Sequence, residues 1–208
     1  MRTTNTRSVG DYVVVVRTAD PTNVEGIRMD DATKQVIGAL NEAFPDLSLA
    51  PAPLVDRGKA APGVEQIYVR LPVESILDVM RFLYQDPRCD YRQLCDLTCV
   101  DYLEFPKARD RYGVIYSLLS HGRQHRFWVK CFVNDPEPEV PSVTGIWKGA
   151  DWMERELWDM FGIRFTGHPD LRRILTWEGF EAHPLRKDYP LRGRGEREDY
   201  PTLTRDSR

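Results

Sequence analysis

The sequence predicts an α+β fold: a small mixed sheet with an antiparallel three-strand meander, helices packed on one face, and an extended C-terminal arm. Three observations carry this reading. A helix–strand–helix pattern fills residues 30–84. Three runs rich in alternating apolar side chains, joined by short turn-rich pieces, follow over residues 92–133. After Gly162 no hydrophobic period survives, although aromatic and apolar residues stay frequent.

Taken in order, residues 1–8 are basic and acid-free and are expected to be disordered or extended, and Tyr12–Val16 reads as a short β-branched strand. Asp30 or Asp31 caps a helix to about Phe44, with Val36, Ile37, Leu40 and Phe44 on one face and Pro45 as the stop. Prolines 45, 51, 53 and 62 with Gly58 and Gly63 mark residues 45–63 as a surface loop. Val64–Leu71 alternates Ile67, Val69 and Leu71 as a strand. Pro72 suits the first position of a helix reaching Tyr84, with Val73, Ile76, Leu77, Met80 and Leu83 inward.

The meander comprises Arg92–Leu103, Arg111–Leu119 and His125–Val133. Short connections make the strands antiparallel neighbours. Large side chains on both faces of the last two strands mean that one face meets the helices and the other calls for further cover. An acidic, proline-punctuated linker covers Asn134–Pro141. Ser142 then caps a short helix to Trp147, and Asp151 a second to Phe161, where Met153, Leu157, Met160 and Phe161 form a buried stripe. The expected organisation is residues 1–8 as the loose start, 9–165 as the α+β domain and 166–208 as the arm.

Composition excludes several functions. The chain has 208 residues, 41% hydrophobic and 29% charged, with net charge −3. Residues 1–163 hold 19 basic and 24 acidic side chains and residues 164–208 hold 10 and 8, so no block of like charge suits nucleic acid. No apolar run is long enough for a membrane helix. The start resembles neither a signal nor a transit peptide, which favours a cytoplasmic chain. Cys95 and Cys99 lie four apart. On a strand that is roughly 13 Å, too far to share a metal ion, so these two with Cys89 and Cys131 read as small hydrophobes.

Catalytic constellations are weak. Glu154, Glu156 and Asp159 form the densest acidic group, but Glu154 and Glu156 diverge around a helix and read as a solvated or salt-bridged face. His168 and His183 each precede proline, which keeps their backbone extended and makes them side-chain anchors rather than bases. Gly193 and Gly195 lack the helix and lysine of a phosphate loop. The arm, residues 166–208, is too apolar for a solvated tail and too broken by proline and glycine to build a core. It is therefore expected to dock on another protein, with folding back over the open face of its own sheet as the alternative. Aromatic residues and arginine concentrate interface energy, which nominates His168, Arg172, Arg173, Trp177, Phe180, His183, Arg186, Asp188 and Tyr189 as interface residues.

At these residues the sequence resembles the 30 kDa subunit family of respiratory complex I. The family signature reads Glu154-Arg155-Glu156, Asp159, Met160-Phe161, His168, Arg172 and Ile174-Leu175. The phrase His183-Pro-Leu-Arg-Lys-Asp-Tyr-Pro-Leu191 resembles the family's closing phrase, and Asp96–Tyr102 and Pro141–Trp147 are similar as well. Trp177 stands where relatives often carry aspartate and Ala182 where many carry glycine. The resemblance implies a subunit with no catalytic residue, cofactor or metal of its own, in the hydrophilic arm of a proton-translocating NADH:quinone oxidoreductase. FMN, iron–sulfur clusters, NADH and quinone are then held by partner subunits. It further implies docking on the large quinone-site subunit, beside other hydrophilic-arm subunits. The location implied is peripheral, on the cytoplasmic side of the bacterial inner membrane, with membrane contact only through the complex. An equivalent subunit of a membrane-bound hydrogenase-type or ferredoxin-fed complex, and an independent binding module or small enzyme, are the competing readings.

Overall fold

The structure, a computed structural model, describes residues 29–47, 49, 51–53, 67–106 and 108–196. The expected strand Tyr12–Val16, the loose first residues, most of the loop before Ile67 and the last twelve residues lie outside them.

Asp30 caps the first helix, α1 (Asp31–Ala43), by accepting the Thr33 amide at 2.7 Å. The proline-rich stretch expected as loop contributes β1 (Pro51–Pro53), antiparallel to β2 (Ile67–Arg70). An edge strand tolerates proline because its outer N–H groups need no partner in the sheet. Pro72 precedes a 3-10 turn (Val73–Ser75) instead of starting a helix, and α2 (Ile76–Gln85) follows. The meander is β3 (Gln93–Asp101), β4 (Tyr112–Ser120) and β5 (His125–Val133). The sheet order is β1-β2-β5-β4-β3, with β2 and β5 parallel and the other pairs antiparallel.

A bulge between Leu94 and Asp96 resets the alternation of β3. Leu94 and Leu97, three apart, therefore both reach the core, whereas Val100 with the same spacing falls on the far face and is exposed. One face of the sheet carries Tyr112, Val114, Tyr116, Leu118, Phe127, Val129 and Cys131 into a single core with Val36, Ile37 and Leu40 of α1 and Ile76, Val79, Met80 and Leu83 of α2. The opposite face keeps Ile115, Leu119, Trp128 and Phe132 partly exposed. There the buried ammonium of Lys130 donates to the Tyr102 hydroxyl and sits about 5 Å from the rings of Tyr68, Tyr102 and Phe132. Gly113 makes this possible, since a Cβ there would lie 2.8 Å from the Lys130 Cε.

The linker after β5 ends in β6 (Glu139–Pro141), which pairs in parallel with β7 (Arg164–Thr166). The helix expected at 142–147 is a turn, closed by the Ile146 and Trp147 amides on the Val143 carbonyl. The last helix, α3 (Ala150–Phe161), starts beyond Gly149 without a side-chain cap, and Asp151 stands in its first turn rather than before it. An acid there still complements the helix dipole. Gly162 ends α3 in the left-handed conformation at φ 76° and returns its amide to the Trp158 carbonyl.

Candidate functional site: a strap clamped along the last helix

Of the solvated or salt-bridged acidic face expected on α3, the solvated reading is overturned for Glu154 and Asp159, and Asp159 is salt-bridged to Arg173. Glu156 is exposed, but Glu154 and Asp159 are fully buried. Glu154 shares the stripe of Leu157 and Phe161, three and seven residues on, and turns under the 142–147 segment to accept the Val143 amide at 2.7 Å. Burial pushes its carboxyl up to about 7, against the opposing pull of Ser142 and the Val143 N–H.

Asp159 is the centre of the site. Its Oδ2 accepts the consecutive backbone amides of Ile174, Leu175 and Thr176 at 3.0, 2.8 and 2.9 Å. Its Oδ1 takes the Arg173 guanidinium at 2.6 Å and the Thr176 hydroxyl at 2.5 Å. Burial alone would favour the neutral acid. The Thr176 hydroxyl and amide, with the Leu175 and Ile174 amides, outweigh it and hold the carboxyl well below the usual carboxylate range.

Three α3 positions spaced by four, Asp151, Arg155 and Asp159, face one side of the helix, and the chain after β7 runs along that stripe. At the near end the Asp170 amide donates to Nδ1 of His168 at 3.0 Å, which leaves Nε2 to donate to the Asp151 carbonyl at 3.2 Å. Midway, Arg155 donates to the carbonyls of Arg172 and Arg173, both at 3.2 Å. At the far end the strap closes the helix. The terminal carbonyls of Asp159, Met160 and Phe161, which have no partner inside α3, accept His183 Nδ1, the Leu185 amide and Arg186 Nε at 2.9, 3.0 and 2.6 Å. The absent side chain of Gly162 lets the His183 ring in, since a Cβ would lie 2.6 Å from it. Burial lowers the basicity of that imidazole, consistent with a neutral ring donating from Nδ1.

Beyond the helix, the Lys187 amide donates to buried Asp101 at 2.9 Å, and Asp188 pairs with Arg111 at 2.8 Å. Arg111 also pairs with Asp101 and Asp135. Phe180 is buried with its ring centroid 4.8 Å from Trp177, 5.9 Å from Tyr189 and 5.6 Å from the Arg173 guanidinium. The expectation that the arm lacks the contacts to hold itself, and needs another protein to do so, is therefore corrected for residues 167–196. Backbone and charged groups hold it, which counting apolar side chains does not register. Its contacts follow α3 and reach Asp101 and Arg111 at the ends of β3 and β4.

The nominated residues divide. His168, Arg173, His183, Arg186 and Asp188 spend polar atoms on their own chain, whereas Arg172 is exposed and pairs with Asp170. Outward go Leu175, 63% exposed, Leu185, 51%, Trp177, 40%, and Leu191, fully exposed, beside Trp152 of α3 at 65%. Sequence reasoning missed Asp101, Arg111, Thr176 and Gly162 as strap holders. Gly162 left a signal as a helix-ending glycine, and Asp101 as part of the Asp96–Tyr102 stretch. Among the described residues no group of three or more histidine, cysteine or carboxylate side chains is arranged to hold a metal ion, and no helix is long and apolar enough to cross a membrane.

An α+β scaffold that lays an ordered strap along its last helix is the class of protein this geometry defines. Residues 69–195 match the family described as respiratory-chain NADH dehydrogenase, 30 Kd subunit, and the chain belongs to that family. It is 51% identical over 123 residues to a subunit of the NADH-quinone oxidoreductase of Rhizobium etli, a match covering 59% of this chain and 64% of that one. It is 45% identical over 129 residues to the mitochondrial NADH dehydrogenase (ubiquinone) iron-sulfur protein 3 of Candida albicans, covering 62% and 45%. The chain thus spans somewhat less than two thirds of the Rhizobium relative and under half of the Candida one. The fold is similar to a trypsin-resistant fragment (1–134) of Nqo5, with TM-score 0.54 and 33% identity, covering 66% of this chain and 99% of that one. It also resembles a chain of a membrane-bound sulfane sulfur reductase, an archaeal respiratory membrane complex, with TM-score 0.59 and 20% identity over 77% of this chain and 87% of that one, a likeness of fold alone.

Proposed function

We propose that this chain is a structural and assembly subunit of the hydrophilic arm of a proton-translocating NADH:quinone oxidoreductase, and that its strap docks on the large quinone-site subunit. On this reading it carries no cofactor itself. FMN, iron–sulfur clusters, NADH and quinone belong to partner subunits, and the chain sits peripherally on the cytoplasmic side of the bacterial inner membrane. Family membership and the names of its relatives support the assembly. The observation that carries the docking is a set of apolar side chains presented by an ordered backbone: Leu175, Leu185 and Leu191 face outward while residues 174–176 and 183–186 are hydrogen-bonded to the end of α3. Water gains nothing from such an arrangement, whereas a partner surface buries it.

Titrating the cognate large subunit onto the full chain tests this. Leu175→Ser with Leu185→Ser is expected to weaken binding at least tenfold while the melting temperature of the chain stays put. Unchanged affinity would remove the docking assignment. The shared fold of the archaeal reductase chain motivates a second reading, the equivalent subunit of a membrane-bound hydrogenase-type or ferredoxin-fed complex. Recovery of an NADH-binding flavoprotein subunit with the purified complex decides between them.

A further inference from the structure

We infer that Asp159 is a positioning residue for partner binding: it sets the strap in its docking shape before the partner arrives. This rests on the docking reading above. The geometry is specific. One buried carboxylate gathers three consecutive amides, a guanidinium and a hydroxyl, all from residues 173–176. Those residues include Leu175, one of the outward side chains, so the direction of that side chain is set by the amides on either side of it. Three residues later Asp159 is followed by the Gly162 helix stop, and its own carbonyl takes His183, so the same residue also fixes the approach to Leu185. The two outward leucines thus hang on the two ends of one aspartate, side chain and backbone.

Ordering costs backbone entropy at every residue that is fixed. A strap already ordered in the free chain spares the complex that cost, and a strap ordered only part of the time lowers the apparent affinity in proportion to the competent fraction. The charge on Asp159 matters as much as its size, because charge-assisted hydrogen bonds are roughly twice as strong as neutral ones and asparagine would aim an NH2 group at N–H donors.

The experiment pairs amide hydrogen exchange of the full chain with its affinity for the cognate large subunit, for the native chain and Asp159→Asn. The expected result is a strap open at least about nine-tenths of the time, with exchange at Ile174, Leu175 and Thr176 close to the unprotected rate, protection of β4 and β5 unchanged, and affinity reduced about tenfold by the lost competent fraction. A strap that is open most of the time while affinity holds overturns the inference and leaves docking standing. A strap that does not loosen overturns it as well. If the native chain forms no complex, it is the docking reading that falls. Should Asp159→Asn fail to fold, Thr176→Val removes one donor while keeping the carboxylate and all three amides. It is expected to leave the strap open about two thirds of the time and so to weaken binding about threefold, and either a strap that stays closed or an unchanged affinity counts against the inference.

Discussion

The sheet and the strap are held by different physics. Between α1, α2 and the core face of the sheet, stability comes from apolar side chains withdrawn from water, such as Ile37, Met80, Tyr116 and Phe127. Such packing is non-directional and cooperative, so damage anywhere is shared everywhere. Along α3 the strap adds directed bonds to its apolar contacts at Leu171 and Phe180: Asp159 to amides, Arg155 to carbonyls, Arg186 to the helix end. Directed bonds fix a shape at low apolar cost, which leaves the apolar side chains free to face outward. The comparison shows how a short segment becomes ordered without a core of its own.

Substitutions that separate these two regimes follow from this, beginning with the strongest. Phe127→Ala opens a cavity at the middle of the core and is expected to cost about 3–5 kcal/mol, lowering the melting temperature of the whole chain in calorimetry. If only one half of the chain lost stability, the cooperative picture of the sheet would fail.

Glu154 sits at the boundary between the regimes. Its folded value of about 7 lies above the ordinary 4.5, so the folded chain binds the proton more tightly than the unfolded one. The folded state therefore carries no penalty below pH 4, loses stability as pH rises from about 4.5 to 7, and carries the full penalty above that. Glu154→Gln keeps the acceptor for the Val143 amide and is expected to flatten this slope, gaining about 1–3 kcal/mol at pH 8 in denaturant titrations. An unchanged slope would place the titration elsewhere.

Gly162→Ala combines a left-handed backbone with a Cβ 2.6 Å from His183 and is expected to cost about 1–2 kcal/mol. The loss should appear as faster proteolysis after residue 166, with the core melt shifted far less. Equal loosening of core and strap would merge the two regimes. Smallest is Leu175→Ser, expected within about 0.5 kcal/mol of the native stability because the side chain already faces water. Its effect belongs to partner binding alone.

How legible all this is in the sequence varies with the kind of interaction. The strand His125–Val133 can be read directly and the cap can be placed at Asp30 or Asp31, of which the structure uses Asp30, because alternation and capping are local. The β3 bulge is hidden, since Leu94, Leu97 and Val100 look evenly spaced until one residue slips. The polarity of α3 misleads for a related reason. Asp151, Arg155 and Asp159 recur every four residues, which is the pattern of a solvated stripe as much as of a track for another segment. The family signature does mark Asp159, His168 and Arg172, but the groups that Asp159 holds are mostly backbone amides, which every residue type except proline possesses and no side-chain pattern announces. Thr176 and Arg111 stay unread because they matter only through distant partners, and the stretch that holds Asp101 does not say what it binds.

The strap also completes the end of α3. The carbonyl of Phe161 is satisfied by Arg186, about twenty-five residues downstream. A ribosome making this protein must therefore extrude that much more chain before the helix end is closed. Chains that end before His183 would carry a frayed last turn at Asp159–Phe161.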